Sequence, residues 1–250
     1  MKYIVLDLEF NQAFDFGSNS TVTDERCPFE IIQIGAVRLN HKFEFEASLN
    51  LLIKPVIYKR IHPYVGRITG LSAKDLTDKQ SFCEAFEKLV EFAGKKRAIY
   101  CVWGVNDIKE LRKNMDYYDL GGDDRTIDFL DVQAVASRHL NRVAGMCIGL
   151  KNALNALDIE MVKPFHDALN DAEYTAKILQ RLKREPLPLR QFSHDHIVTA
   201  PKPPRRTGFA AIYRFVEGKL GRALTRKERW VFKNVFILNI RTKRFTKKNL

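Results

Sequence analysis

The chain has 250 residues, 45% hydrophobic and 29% charged, a composition typical of a folded globular protein with one large core. It contains neither the ~18–20 apolar residues of a membrane-spanning helix nor the N-terminal apolar run of roughly 7–15 residues of a secretory signal. The four cysteines form no C-x-x-C pair. We therefore expect a cytoplasmic protein with reduced thiols and no zinc site built from cysteine.

The formal net charge of +12 is unevenly distributed. Residues 181–250 hold 19 of the 42 Lys and Arg residues and 4 of the 30 Asp and Glu residues. This segment therefore carries a net charge of +15, and residues 1–180 carry −3. Such asymmetry is typical of contact with a polyanion, most simply nucleic acid. The alternative is a basic, partly disordered tail that maintains solubility.

The N-terminal part of the chain predicts strands. The apolar run at residues 3–8 is typical of a buried strand. The polar residues 11–28 predict a long loop, which exceeds the usual connection length. Two further strands are expected at residues 30–39 and 43–53, and a tight turn at Asn40 would join them in a hairpin.

Helical periodicity dominates the following part. It predicts helices at residues 81–92, 106–113, 130–140, 150–157 and 167–184. Between the first two, residues 98–102 form another apolar run typical of a buried strand. Strands first, followed by alternating strand and helices, indicate an α/β fold in which helices flank a mixed sheet.

The composition changes after Arg184. Residues 185–206 are rich in proline and predict an extended linker. Residues 207–250 predict a small basic helical extension, in which a capping box from Thr225 to Glu228 precedes an amphipathic helix at residues 230–238. We therefore divide the chain into a main domain (1–184), a linker (185–206) and a C-terminal extension (207–250).

Acidic residues recur just after the predicted strands. Asp7 and Glu9 lie two apart in a strand, so their side chains project from the same face. Unrelated acids where the strand meets solvent are the alternative interpretation. Asp107 follows a strand and a glycine turn at the start of a helix, where capping and the helix dipole also favour an aspartate.

The stretch FHDALNDAEYTAKIL, residues 165–179, contains a histidine and two aspartates at a helix start. Asp167 and Asp171 are four residues apart and share a helix face. The spacing inside the stretch therefore does not distinguish a capping aspartate from a chemically active one. His166 precedes both aspartates, and a histidine side chain can accept a proton near neutral pH.

These acidic residues would form a single site if the sheet brings them together. Four negative charges in one pocket repel each other strongly, and two divalent cations would relieve that repulsion. Carboxylate ligands without cysteine or several histidines favour Mg²⁺ or Mn²⁺ over zinc. Two such ions are an established means of promoting in-line attack on a phosphodiester, with a histidine as the base that receives the proton of water. The set in question is Asp7, Glu9, Asp107 and Asp171.

Three motifs in this order, VLDLEF, WGVND and HDALNDA, resemble those of the DEDDh 3′–5′ exonuclease family, which includes RNase T and the proofreading subunit of bacterial DNA polymerase III. The segments EIIQIGAV, ITGL and GLKNALNALDI are also similar to that family. The resemblance covers residues 1–182 and is nearest to the ERI-type RNA exonucleases and their bacterial relatives. It implies an RNase H-like fold.

The resemblance also implies roles for individual residues. Asp7, Glu9 and Asp171 correspond to ligands of the tighter metal, and Asp7 would also bridge to the second ion. Asp107 corresponds to an aspartate that holds metal through water, and His166 to the general base. Asp167 is then left as the N-cap of the helix.

The resemblance further implies contacts with the terminal nucleotide by Leu8, Phe10, Thr69 and Leu71. Phe10 would stack on a base, although an ordinary core phenylalanine is an alternative. The polar loop at residues 11–27 departs from many relatives, which turn sooner, and leaves that edge of the substrate groove undefined.

The function implied is a two-metal 3′–5′ exonuclease acting on single-stranded nucleic acid, with RNA favoured over DNA. One alternative is a DNA proofreading or processing exonuclease. Another is a non-catalytic nucleic-acid-binding protein on a decayed nuclease fold, with the basic C-terminus as its working part. A decayed site would have lost an acid or the histidine, and all five positions are intact, which favours the enzyme.

Overall fold

The computed structural model divides the chain into two compact units, Met1–Thr199 and Ala200–Leu250. In the described part of the chain, no helix has the length and apolar character needed to cross a membrane. The residues described are 2–14, 22–94, 98–120, 126–142 and 146–193 of the first unit, and 217, 221–225 and 228–229 of the second.

Six strands form one mixed sheet. In chain order they are β1 (Lys2–Gln12), β2 (Phe29–Leu39), β3 (Phe45–Leu52), β4 (Ala98–Val102), β5 (Ile127–Asp131) and β6 (Leu189–Phe192). Their order across the sheet is β3-β2-β1-β4-β5-β6. The first three strands pair antiparallel, β4 and β5 run parallel to β1, and β6 runs antiparallel to β5. The expected mixed sheet and the hairpin between β2 and β3 are confirmed.

Helices cover both faces of the sheet. They are α1 (Pro63–Thr69), α2 (Ala73–Leu76), α3 (Phe82–Ala93), α4 (Asn106–Tyr117), α5 (Val132–His139), α6 (Leu150–Ala156) and α7 (Ala168–Arg181). Alternate residues of β1 enter two different cores, as the period-2 geometry of a strand requires. Ile4 and Leu6 join the core beneath α3 and α4, whereas Val5 joins the core beneath α5, α6 and α7.

The helix expected at residues 130–140 begins later than predicted. Residues 127–131 form β5, and the helix α5 starts at Val132 with Asp131 as its N-cap, whose side chain accepts a hydrogen bond from the Ala134 amide at 2.9 Å. The short apolar run that includes Phe129 and Leu130 is compatible with either period, which is why the sequence pattern misassigned it.

The segment expected to be a linker contributes a strand to the main domain. Residues Leu189–Phe192 are extended, but they pair with β5, and the Phe192 side chain is buried in the core beneath α3 and α4. The free edge of β5 offers unpaired backbone groups that this segment satisfies. The sheet therefore continues past Arg184, the boundary drawn from composition.

In the second unit, the capping box is present. The Thr225 amide donates to Glu228 Oε2 at 2.8 Å, and the Glu228 amide donates to Thr225 Oγ1 at 3.3 Å. The amphipathic helix expected at residues 230–238 and the linker residues 194–206 lie outside the described residues.

Helix α7 rests directly on β2. An alanine Cβ built at Gly35 would lie 2.0 Å from the backbone carbon of Ala168, far inside van der Waals contact. Two residues away, the Gln33 side chain donates to Asp167 Oδ2 at 3.0 Å and accepts from the Ala168 amide at 3.3 Å. Close contact and hydrogen bonds together fix the first turn of α7 over the middle of the sheet.

We predict that Gly35→Ala destabilises the protein by more than about 3 kcal/mol, because the added methyl group forces α7 away from β2. Denaturant unfolding monitored by circular dichroism measures the change. Gly149→Ala is the matched control, since its Cβ would meet nothing nearer than the Asn152 side chain at 3.9 Å. Equal stabilities of the two variants would contradict the proposed steric role of Gly35.

Candidate active site

The first two acids lie side by side on β1. Asp7 and Glu9 project from the face of the sheet covered by α7, whereas Leu8 between them packs into the opposite core. In the register of β1 and β2, Asp7 lies opposite Gly35 and Glu9 opposite Gln33. The two acids are therefore adjacent to the residues that bring α7 onto the sheet.

The start of α7 supplies the third acid and the histidine. Asp167 caps the helix through a hydrogen bond from the Asn170 amide at 3.0 Å, and Asp171 follows one turn later. His166 adopts a left-handed backbone conformation with φ of 64°, and its amide donates to Asp171 Oδ2 at 3.1 Å. Asp167 is thus the capping aspartate, while Asp171 faces the sheet and is only 8% exposed.

Glu9, His166 and Asp171 form a compact group. One donor atom from each of these side chains lies within 4.8 Å of the other two. Glu9 and Asp171 are buried, and His166 is exposed. The structure therefore brings together three of the five residues singled out from the sequence at distances suited to a shared ion.

Asp107 approaches from a third element. It lies in the first turn of α4, which follows β4 through a turn at Gly104, where φ is 92°. The N-cap of α4 is Val105, so helix capping does not account for the aspartate. Its charge is the strongest electrostatic influence on the pKa of Asp7, which places it at the same pocket.

Burial is the largest cause of the raised pKa of each of the four acids. Repulsion by other members of the set adds to it for Asp7, Glu9 and Asp107, whereas the repulsion that raises the pKa of Asp171 comes from Asp167. The pKa of Asp7 is raised well above its usual range by burial and by Asp107, Asp171 and Glu9. The pKa of Glu9 rises to about 7 through burial and the charges of Asp171 and Asp167. The pocket is therefore strongly unfavourable for four carboxylates without a compensating charge.

The residues present fit a divalent cation. Asp171 Oδ1 is buried and accepts no hydrogen bond from the described residues, although buried carboxylate oxygens normally have a partner. Four carboxylates with one histidine and no cysteine form a donor set that suits hard ions such as Mg²⁺ or Mn²⁺. Asp7, Glu9, Asp107 and Asp171 would hold such ions.

Two of the residues expected to contact the terminal nucleotide, Leu8 and Phe10, have their side chains in or against an apolar core. The Leu8 side chain is 4% exposed in the core beneath α3 and α4, so any contact with substrate would involve its backbone. Phe10 packs against the same core and meets Phe29 edge-on, with ring centroids 6.3 Å apart. This arrangement supports the alternative interpretation of Phe10 as a core residue.

Thr69 and Leu71 lie at the end of α1. Thr69 Oγ1 donates to the Val65 carbonyl at 2.9 Å and accepts from the Leu71 amide at 3.1 Å. Leu71 packs against a small apolar cluster that contains Val65 and Leu76. Both residues therefore shape the C-terminal end of α1.

Two buried polar residues that position the site were not identified from the sequence. Gln33 is described above, and Asn11 lies two residues beyond Glu9 with no exposed surface. Asn11 Nδ2 donates to the carbonyls of Tyr58 and Arg60 at 2.8 and 2.9 Å, and its Oδ1 accepts from the His62 amide at 2.9 Å. A polar side chain inside an apolar strand was the available signal for both.

Glu30 of β2 anchors the same segment of the chain, which precedes α1. Glu30, 2% exposed, accepts hydrogen bonds from the amides of Val56, Ile57 and Tyr58 at 2.6–2.9 Å. Asn11 and Glu30 thus fix neighbouring parts of the segment that leads into α1. That segment is thereby anchored beside the end of β1 that carries Glu9.

Comparison with known proteins identifies the family to which the chain belongs. The family model RNase_T, described as Exonuclease, matches residues 4–179. No curated protein sequence matches the chain. Among solved structures, the nuclease domain of 3′hExo, a DEDDh family member bound to rAMP, is similar with a TM-score of 0.61 at 16% identity, over 77% of this chain and 96% of that one.

Two further structures are similar. A 3′-exonuclease in 3′-end-specific recognition of a histone mRNA stem-loop has a TM-score of 0.61 at 16% identity, over 77% of this chain and 71% of that one. Cell-death related nuclease 4, CRN-4, has a TM-score of 0.60 at 16% identity, over 76% of this chain and 66% of that one. These likenesses confirm the expected exonuclease fold.

We predict that Glu9→Gln stabilises the metal-free protein at pH 8 and leaves its stability unchanged at pH 4. The carboxyl group is protonated in both the folded and unfolded states well below its ordinary pKa of 4.5. Above pH 4.5 the unfolded state releases this proton before the folded state does. Glu9 therefore lowers the free energy of unfolding progressively, until the pH passes its folded pKa of about 7. The gain at pH 8 is on the order of 3 kcal/mol.

Denaturant unfolding in EDTA at the two pH values measures this effect. Glu87→Gln, which removes an exposed carboxylate from α3, is the control and should change little at either pH. Added Mg²⁺ or Mn²⁺ should stabilise the unaltered protein more at pH 8 than at pH 4. A stabilisation by Glu9→Gln that is independent of pH would contradict the electrostatic explanation.

Proposed function

This chain belongs to the exonuclease family, as its ordered motifs predicted, and we propose that it is a two-metal-dependent 3′–5′ exonuclease acting on single-stranded nucleic acid. The main support is the convergence of four acids and one histidine from β1, α4 and the start of α7 on a single, partly buried pocket. A non-catalytic binding protein has no need to maintain such mutually repelling charges. The exonuclease function is therefore favoured over the binding alternative.

The protein residues have distinct tasks in this reaction. Asp7, Glu9, Asp107 and Asp171 would hold two divalent cations, which when bound supply positive charge to the phosphodiester as it is attacked. His166 accepts the proton of the attacking water at a ring nitrogen. The His166 side chain is exposed and therefore accessible to that water. The His166 backbone amide donates a hydrogen bond to Asp171, which fixes the position of the histidine relative to this metal-binding carboxylate.

We propose RNA rather than DNA as the preferred substrate. The support is the resemblance to ERI-type RNA exonucleases and the likeness to structures of 3′hExo bound to rAMP and of a 3′-exonuclease that recognises an RNA stem-loop. A similar fold is also found in exonuclease X in complex with duplex DNA, so DNA processing is the second candidate. The two candidates differ in whether the site requires the 2′-hydroxyl group.

We predict that Asp171→Ala abolishes removal of 3′-terminal nucleotides, because the pocket loses one of the carboxylates that would hold the metal ions. His166→Ala should lose at least about a hundredfold in kcat while metal binding persists, since general-base catalysis typically contributes that much. Matched 3′-labelled RNA and DNA oligonucleotides, single- and double-stranded, with Mg²⁺ or Mn²⁺, measure polarity, substrate and metal together.

Each outcome assigns a role. Near-normal turnover by Asp171→Ala would refute the mechanism. Loss of metal binding by His166→Ala, measured by calorimetry with Mn²⁺, would reassign the histidine as a ligand. Faster degradation of single-stranded DNA than of the matched RNA would replace RNA by DNA as the proposed substrate.

The basic C-terminal segment is proposed to contact nucleic acid. Deleting residues 194–250 preserves β6 and should reduce the slope of log affinity against log salt concentration, because fewer phosphate charges are neutralised. Fluorescence anisotropy of a labelled single strand from 50 to 300 mM salt gives the slope. An unchanged slope would refute a role of this segment in nucleic-acid binding.

A further inference from the structure

One segment of the main domain, which ends just before Asp75, contains basic residues and no acidic ones. Residues 54–74 contain five Lys or Arg residues and no Asp or Glu, whereas residues 1–180 as a whole carry a net charge of −3. This segment leads into and includes α1. A local positive charge beside a pocket of four acids is the arrangement expected where a polyanion must be held near metal ions.

Helix α1 exposes an aromatic–cation pair. Val65 is buried, 6% exposed, against Ile32 and Leu76, which fixes the inner side of the helix. Tyr64 is 53% exposed, and the Arg67 guanidinium lies 5.3 Å from the centre of its ring. Within the described residues, no carboxylate forms an ion pair with Arg67.

Helix α1 is attached to the end of β1 that carries Glu9. Asn11, about 7 Å along β1 from Glu9, is hydrogen-bonded to the segment that immediately precedes α1. Thr69, at the end of the same helix, is one of the residues expected to contact the terminal nucleotide. Tyr64 precedes Thr69 by about 7.5 Å along the helix axis.

We propose that the exposed side of α1 formed by Tyr64 and Arg67 binds the single strand upstream of its 3′-terminal nucleotide. Tyr64 stacks on a base, and Arg67 contacts the adjacent phosphate while covering the tyrosine ring. Aromatic rings accept any base, and the planar guanidinium binds phosphate through two parallel hydrogen bonds. The subsite therefore selects an unpaired strand without selecting its sequence.

This inference rests on the proposed function, because the subsite serves the substrate of the same pocket. It predicts that kcat/KM of the full chain rises as the single-stranded substrate is lengthened from two to eight nucleotides. Tyr64→Ala and Arg67→Gln should each lose about tenfold on the octanucleotide, through KM, and remain unchanged on the 5′-p-nitrophenyl ester of a mononucleotide, which has no upstream nucleotide. Tyr64→Phe retains the ring and should behave as the unaltered protein.

A charge-matched control is Lys42→Gln. Lys42 is exposed in the β2–β3 hairpin, at the end of the sheet away from Glu9, and its removal should not alter the length dependence. Thermal unfolding of every variant establishes that the fold is retained. A length dependence that is unaltered in both Tyr64→Ala and Arg67→Gln would overturn the inference.

Binding in EDTA separates this inference from the proposed catalysis. Anisotropy of a 5′-fluorescein octanucleotide should show about tenfold weaker binding by Tyr64→Ala than by Tyr64→Phe. If that difference is found but no oligonucleotide is degraded with Mg²⁺ or Mn²⁺, the catalytic function fails and the subsite stands. If the two variants bind equally, or the unaltered protein does not bind, the subsite is refuted whatever the activity.

Discussion

The direct contact between the first turn of α7 and β2 at Gly35 determines the rest of the site. Because Gly35 has no side chain, the backbone of Ala168 reaches the sheet itself rather than a layer of side chains above it. The strand register places Gly35 opposite Asp7 and Gln33 opposite Glu9. One close approach thus brings the acids of β1 against Asp171, which is more than 160 residues away in the sequence.

Bringing the four acids close together lowers the free energy of unfolding, and the rest of the domain offsets this loss. Four acids with raised pKa values oppose folding at neutral pH, and a bound cation would remove that penalty. Apolar cores on both faces of the sheet supply the main stabilisation. The hydrogen bonds of Gln33 with Asp167 and of the His166 amide with Asp171 orient the start of α7 despite the repulsion.

Much of this arrangement was predictable from the sequence, and the failures have physical causes. Strand periodicity correctly placed β1, β2, β3 and β4, and the ordered motifs selected the acids and His166. The pattern missed β5 and β6, because short strands beside helices or prolines carry little periodic signal. It also missed α1 and α2, which have seven and four residues and are held by Asn11 and a small apolar cluster. Long-range hydrogen bonds of this kind leave no local pattern.

The paired anchors of Asn11 and Glu30 have a consequence for the loop between them. The two residues flank the polar loop between β1 and β2, and both fix the same neighbouring segment, residues 56–62. The loop between them therefore begins and ends at points held independently of its own length. The loop can therefore change in length without shifting Glu9 relative to α1.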